Sequence, residues 1–449
     1  MDVGRHPNIR LLAYSEVEKV EGEVGDFRVT VRKKARYVDE SKCTGCGACA
    51  EKCPTSVSDA YNLGHANAKA IYKYFAQGIP STYTIDAGVC RNFQPGKKCG
   101  VCAKVCQAKA IDYKQEDQML EIGAGAIIVA TGYELFDARR IPEYGYGHYP
   151  NVITALEFER FLSASGPTHG HVYRMSDLAL KNALPELEKA HQKAVKALER
   201  FEKQFEQTSD EFYGRFEAGE LTGGDYDKWA EQVRAASGLG RELEEKKAKV
   251  EKIEAAHRIA FIQCVGSRDI RFNKHCSGFC CMHAIKEAII AREHDKEAEV
   301  FIFGMDIRAV GKGFEEYRNR GAREAGVQYI RSRVAEITQD GDHTPVLWYE
   351  DTKARQVKSL PVDLVVLATA CEPSSSAKNM AELLGISLNE FGFFRTRSVE
   401  PLDTTRPGIF VCGCAQAPME IPESVAQSSS AAARAAQVLS GSETVRLAS

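Results

Sequence analysis

Three features of the 449-residue sequence predict an α/β protein carrying two insertions. From Ile259 onward, short apolar strands alternate with helical stretches, the pattern of a parallel, doubly wound sheet. Fourteen of the fifteen cysteines fall in three groups, eight of them between Cys43 and Cys106, which predicts a metal-cluster module set into the front of that domain. Residues 177–257 hold no cysteine and are rich in Glu, Lys, Ala and Gln, which predicts a helical hairpin.

Composition narrows the class of protein. The chain is 44% hydrophobic and 27% charged, with a formal net charge of -3, so it carries no basic footprint for nucleic acid. No stretch approaches the ~18 consecutive apolar residues that would span a bilayer, which argues against membrane insertion. The N-terminal string MDVGRHPNIR lacks the parts of a signal peptide. The expected location is the cytoplasm, where thiols stay reduced and grouped cysteines bind metal rather than form disulfides.

Taken in order, residues 1–36 read as antiparallel strands around a Gly25-Asp26 turn, a partial β-rich start to the larger domain. Residues 37–113 are the cysteine-rich module. Residues 114–176 resume the larger domain, and the run from Ala124 to Gly132 reads as a buried strand feeding a small-residue turn. Within residues 177–257, Leu187, His191, Ala194, Leu198, Phe201 and Phe205 repeat at heptad spacing. A second arm carries Leu239, Leu243, Val250 and Ile253, with glycine-rich breaks expected at Leu221 to Asp225 and Ser237 to Gly240. A solvated structural arm and a partner-docking device both fit it. Residues 258–449 alternate strands near Ile259, Ala298, Val327, Leu347, Asp363 and Gly408 with helices from Met282 and Phe314 and one that begins near Ser424 and runs through Ser430 to Leu439.

The module has a specific spacing. Cys43-x2-Cys46-x2-Cys49-x3-Cys53-Pro54 lets three thiolates reach three corners of one 4Fe–4S cubane while the fourth cysteine serves another. Cys90-x8-Cys99-x2-Cys102-x3-Cys106 completes the arrangement with a longer first loop. The cross-over rule assigns Cys43, Cys46, Cys49 and Cys106 to one cluster, and Cys90, Cys99, Cys102 and Cys53 to the other. Zinc is the competing reading, but its sites use two separated pairs rather than two closely spaced triplets each followed by a fourth cysteine. Two adjacent cubanes without an open coordination site point to electron relay.

A second constellation follows the strand at Ile259. Gln263-Cys264-Val265-Gly266-Ser267-Arg268-Asp269 stands where a dinucleotide-binding domain carries its glycine-rich loop, but a cysteine occupies the turn. With Cys276, Cys280 and Cys281 it makes a C-x11-C-x3-C-C set, for which spacing alone leaves metal ligation and core thiols both open. The strings FIQCVGSRD, CSGFCCMHAIK, PNVITALEFERFLSASGPTHG, IPEYGYG and VCGCAQAPMEIPESVAQSSSAAA resemble the A subunit of CoB–CoM heterodisulfide reductase and its bacterial relatives. The resemblance implies a thioredoxin-reductase-like FAD domain that hosts the two-cluster ferredoxin, and a third 4Fe–4S cluster at Cys264, Cys276, Cys280 and Cys281. It implies FAD contacts at Ala130-Thr131-Gly132 and at Gly413. Lys286, one turn beyond Cys281, would face the cofactor crevice and favour a reduced, anionic flavin. Cys371, Cys412 and Cys414 read as small buried packing residues.

What the resemblance implies for function is an electron-transfer subunit passing electrons among FAD and iron–sulfur clusters, with flavin-based bifurcation as its finest form. Its partners would be other heterodisulfide-reductase-type subunits and a hydrogenase or dehydrogenase that feeds electrons in, with a homodimer as a further arrangement. The disulfide chemistry would belong to a partner subunit, and no catalytic residue is expected here. Family members begin with a G-x-G-x-x-G half that grips the ADP part of FAD. This chain carries none, so that half is expected from a separate polypeptide or from reading frame upstream of Met1, interrupted at a selenocysteine codon. Two alternatives stand beside this reading: the same subunit type in another anaerobic complex (quinone-linked or aromatic-ring reducing), and a non-redox zinc scaffold.

Overall fold

The computed structural model describes residues 3–204, 214–215, 217–218, 223–253, 255–352 and 354–447. Its largest sheet is parallel and five-stranded, in the order Val152–Thr154, Leu364–Thr369, Arg258–Val265, Glu299–Gly304, Gln328–Arg331. The inner strands are apolar along their length because both faces are covered. Leu364, Val365, Val366 and Leu367 are wholly buried, so the period-2 alternation of a half-exposed strand is absent.

Helices cover one face. Phe158 and Phe161 from Ala155–Leu162, and Ile285, Ala288 and Ile289 from Cys280–His294, pack on Ile259, Phe261, Val300, Ile302 and Val366. The opposite face departs from the doubly wound expectation. A three-stranded antiparallel sheet (Val334–Gln339, Pro345–Asp351, Gln356–Pro361) covers it, laying Val334, Ile337, Leu347 and Tyr349 on Ala260, Ile262, Phe301, Phe303 and Val365. Only the strand near Leu347 is legible in sequence, because the third strand is exposed along nearly its whole length and carries no apolar periodicity.

The front of the chain forms the expected hairpin, Ser15–Glu23 with Asp26–Lys33. A strand that sequence reading does not foresee, Gln118–Ala124, pairs with the second of these. The chain therefore leaves this sheet after Lys33, builds the cysteine module and returns to the adjacent position. The Ala124–Gly132 run is only partly a buried strand: Ile127–Val129 pairs with Ile409–Val411, Val129 is buried, and Ile128 is 41% exposed. Among the described residues it has a neighbour along one edge only.

Helices Met175–Gln204 and Gly223–Val250 run antiparallel, with Lys247 Nζ 3.2 Å from Glu188. Leu187, His191, Ala194, Leu198 and Phe201 form a half-buried stripe along the first. Phe205 and the Leu221-Thr222 part of the first expected break lie outside the described residues. The second expected break, Ser237 to Gly240, is helical. Glycine costs a helix about 1 kcal/mol, and here packing overrides it, since a Cβ on Gly240 would lie 3.1 Å from His191 Nε2. Among the described residues, no helix is long and apolar enough to cross a membrane.

The cysteine module docks on the helix Ala155–Leu162. Thr154 caps that helix, accepting from the Glu157 N–H at 3.3 Å, while Glu157 Oε2 accepts from the Thr154 N–H at 2.6 Å. The other oxygen of Glu157 lies 2.8 Å from His65 Nε2 in the module. Arg160 Nε donates to Asn62 Oδ1 at 3.1 Å and covers the Tyr61 ring, while the His65 ring packs on Phe161. Burial pushes the Glu157 carboxyl up, but the hydrogen bonds from His65 and Thr154 outweigh it and hold the group below its usual range. A carboxylate depressed in the folded state adds stability above its unfolded pKa and loses it on acidification. Replacing Glu157 by Ala is expected to cost about 1–3 kcal/mol in urea unfolding, since it removes half of the capping box and leaves the half-buried Thr154 N–H and His65 without their shared partner. Against Glu157→Gln, the advantage of the native chain should narrow as pH falls from about 4.3 downward. A gap that stays constant over that range would contradict the ionised reading.

Candidate functional site

Two short helices organise the module. Ala48–Glu51 and Val101–Val105 pack together, and each follows a glycine, Gly47 and Gly100. Cys46 and Cys99 stand just before these helices. The Ala48 N–H bonds to the Cys46 sulfur, and the Val101 N–H to that of Cys99, holding both thiols below their usual range. Cys43, Cys46, Cys49 and Cys106 line one cavity of about 350 Å³, walled by Val38, Tyr83 and Ile111. The Ala110 N–H reaches Cys106 Sγ at 3.3 Å. Cys49 is buried, and burial pushes its thiol up to about 11, so it needs an adjacent cation to ionise at neutral pH.

The second group is equally local. Cys102, Cys99 and Cys53 are the sulfurs whose charge reaches Cys90, and the Tyr113 hydroxyl lies 2.9 Å from Cys102 Sγ. Eight sulfurs thus form two groups of four, each taking three members from one run and one from the other. Cys49 and Cys102, one from each group, are close enough to influence each other. None of the fifteen cysteines is in a disulfide.

The third set gathers at the carboxyl end of the parallel strands, where open α/β sheets hold their ligands. Cys264 takes a positive φ of 60° where the register with Leu364–Thr369 shifts. Cys280 and Cys281 open the helix Cys280–His294 and, with Cys276, lie within electrostatic reach of Cys264. Cys280 donates to Cys281, which raises the first thiol and holds the second down to about 7. Arg268 grips Asp306 through two contacts of 2.5 and 3.1 Å and extends toward Cys264 Sγ at 3.9 Å.

Beside this set lies a crevice of about 1020 Å³, a volume that suits a cofactor of flavin size. Ala130, Gly132, Lys286 and Gly413 line it, and the rings of Tyr133 and Phe279, 5.3 Å apart, offer flat apolar surface. Thr131 is exposed beside the crevice and does not line it. Gly413 has a φ of 66°, which a side chain would strain, and its N–H bonds to Gln427 at 2.9 Å. The helix Ile421–Leu447 begins at the crevice, earlier than sequence reading places it, with Ile421, Ser424 and Ser428 on the lining. Lys286 Nζ is 2.6 Å from Glu159.

Several neighbours escaped sequence reading. His283 Nε2 lies 2.6 Å from Glu287, a wholly buried carboxyl that burial pushes up to about 7. Glu159, His283 and Glu287 hold ligand atoms within 4.8 Å of one another, but Lys286 already answers the charge of Glu159. Lone Glu and His residues on helices give no sequence signal of such a gathering. Of the cysteines read as packing, Cys371 and Cys412 are buried as expected. Cys414 differs in being half-buried, and it and Cys412 both line the crevice.

A family model described as a 4Fe-4S binding domain matches residues 36–57. The iron-sulfur A subunit of CoB--CoM heterodisulfide reductase from Methanocaldococcus jannaschii is 38% identical over 436 residues, 96% of this chain and 54% of that protein. The second of the iron-sulfur A subunits of CoB--CoM heterodisulfide reductase in Methanopyrus kandleri is 41% identical over 99% of this chain and 56% of its own length. The A subunit of the H(2):CoB-CoM heterodisulfide,ferredoxin reductase from Methanothermobacter marburgensis is 36% identical, covering 97% and 54%. The chain spans about half the length of the curated relatives it matches. Among solved structures, a Lactococcus lactis thioredoxin reductase overlaps 41% of this chain and 53% of its own, at 21% identity and a TM-score of 0.30. Similarity to these A subunits along nearly its whole length makes this chain a member of the heterodisulfide reductase A-subunit family.

Proposed function

We propose that the chain is the electron-transfer component of a heterodisulfide-reductase-like complex, relaying electrons between 4Fe–4S clusters and a flavin. The observation that carries the reading is the grouping of twelve cysteines into three sets of four, one of which borders the crevice. In this reading Cys43, Cys46, Cys49 and Cys106 hold one cluster, and Cys90, Cys99, Cys102 and Cys53 a second. Cys264, Cys276, Cys280 and Cys281 hold a third. All twelve of these sulfurs are then ligands, every iron has a protein ligand, and the centres can only pass electrons.

FAD is assigned to the crevice, against Ala130, Gly132 and Gly413. A bound flavin would supply an exchange point between two-electron and one-electron carriers. Lys286 holds a positive charge at the crevice wall, and the start of the Ile421–Leu447 helix adds a positive dipole end, both suited to anionic cofactor oxygens. The finer reading, in which an electron pair is divided between a high- and a low-potential acceptor, follows the family. So do the proposed partners: other subunits of such a complex and a hydrogenase or dehydrogenase that supplies electrons. Disulfide reduction by the complex is assigned to a partner subunit.

Anaerobically purified protein should contain about 12 iron and 12 sulfide per chain, with EPR signals of reduced clusters. Replacing Cys276 by Ser should remove about 4 of each and leave the rest in place. A colourless preparation with stoichiometric zinc and no EPR signal would refute the electron-transfer reading. In a flavin-loaded preparation, Lys286→Met should lower the flavin potential by on the order of 20 mV, the two-electron equivalent of about 1 kcal/mol. An unchanged potential would remove Lys286 from the tuning role.

A further inference from the structure

The central strand of the parallel sheet, Arg258–Val265, is apolar from Ile259 to Ile262 and then carries a glutamine while still inside the core. Gln263 is 5% exposed, and among the described residues neither its Oε1 nor its Nε2 has a hydrogen-bond partner. A side-chain amide left so in a protein interior is costly, and it points to a group that answers it.

The sheet shows what the amide faces. Ile259 and Phe261 pack under the helices, whereas Ala260 and Ile262 meet the antiparallel sheet, so Gln263 belongs to the helix face. It stands one step beyond the pairs Ile262–Leu367 and Ile262–Phe303, which makes Ala368 and Gly304 its neighbours on either side. Ala368 packs with Cys280 and Cys281, the first residues of the helix Cys280–His294, and with Ile307. A Cβ on Gly304 would lie 3.4 Å from both Cβ and Cγ of Gln263, so the glutamine stem lies over that glycine. The amide therefore shares its face of the sheet with two sulfurs of the third set and is flanked by the two smallest residue types. Cys264, a third member of the set, follows it in the chain.

We infer that Gln263 Nε2 donates a hydrogen bond to sulfur of the 4Fe–4S cluster assigned to Cys264, Cys276, Cys280 and Cys281, and so raises its potential. The inference rests on that third-cluster reading and adds a residue to it. Sulfide and thiolate accept hydrogen bonds and do not donate them, so Nε2 rather than Oε1 is the end that such a cluster satisfies. Reduction adds one negative charge to the cluster, and a donor binds a more negative acceptor more strongly, so the amide favours the reduced state. Inside the core the effect is little screened by water. No electron or proton passes through Gln263, which only holds a dipole against the charge.

The test uses the full chain, purified anaerobically, with the EPR signals of reduced clusters followed in a redox titration. The signal missing from Cys276→Ser marks the third cluster. Gln263→Met keeps length and apolar packing but removes both polar ends, and it should retain about 12 iron per chain. The reduction equilibrium of the third cluster should fall about tenfold, a drop of about 59 mV for one electron, with the other two unmoved. An unchanged third potential at full iron content would overturn the inference, as would an equal shift at all three clusters. Should the methionine chain lose iron, the unaltered chain decides. With isotope-labelled nitrogen in its glutamine side chains, pulsed EPR should show nitrogen coupling on the third signal, and absence of that coupling would overturn the donor role. An unaltered chain with about 8 iron and no signal that depends on Cys276 would instead refute the third cluster itself, and the role of Gln263 with it. Iron content is read before any potential, so the two failures are told apart.

Discussion

Much of the architecture hangs on one carboxylate. Glu157 closes the capping box that starts the helix Ala155–Leu162 and at the same time meets His65 of the cysteine module. Buried carboxylates are costly unless every oxygen is answered, and here both are, by groups from two different parts of the chain. The consequence is positional. One helix grips the Tyr61–His65 loop through Glu157, Arg160 and Phe161, and one residue away from these contacts it presents Glu159 to Lys286 in the crevice. A shift of the module would be felt at the crevice wall, because eight helical residues join them.

How far the sequence discloses this depends on the kind of signal. The cysteine runs are legible because ligation demands closely spaced thiols, and spacing survives in one dimension. The parallel strands are legible because burial on both faces makes them continuous apolar runs, as at Leu364 to Leu367. The antiparallel sheet over the opposite face is not, since Gln356–Pro361 is exposed on nearly every residue and owes its place to its neighbour. The same holds for Gln118–Ala124, whose partner lies across the whole module.

The candidate site divides in the same way. Lys286 and Gly413 could be picked out because a family resemblance fixed their neighbourhood, and both line the crevice. Thr131, chosen on the same ground, does not, because a small-residue turn exposes only some of its members to the cavity. Glu159, His283 and Glu287 carry no spacing beyond an ordinary helical i,i+4 step.

One helix explains why the sulfur set and the crevice cannot be treated as separate features. Cys280–His294 starts with two of the four sulfurs of the third set, turns Met282, His283 and Lys286 toward the crevice, and buries Ile285, Ala288 and Ile289 against the parallel sheet. Its apolar side is wholly committed to the core, so its rotation about its own axis is fixed by packing rather than by the polar groups it presents. The polar side therefore has no freedom to adapt on its own. Any substitution that repacked Ile285 or Ala288 would move the sulfurs and the lysine together, and the electrostatic relation between them is in that sense a property of the hydrophobic core.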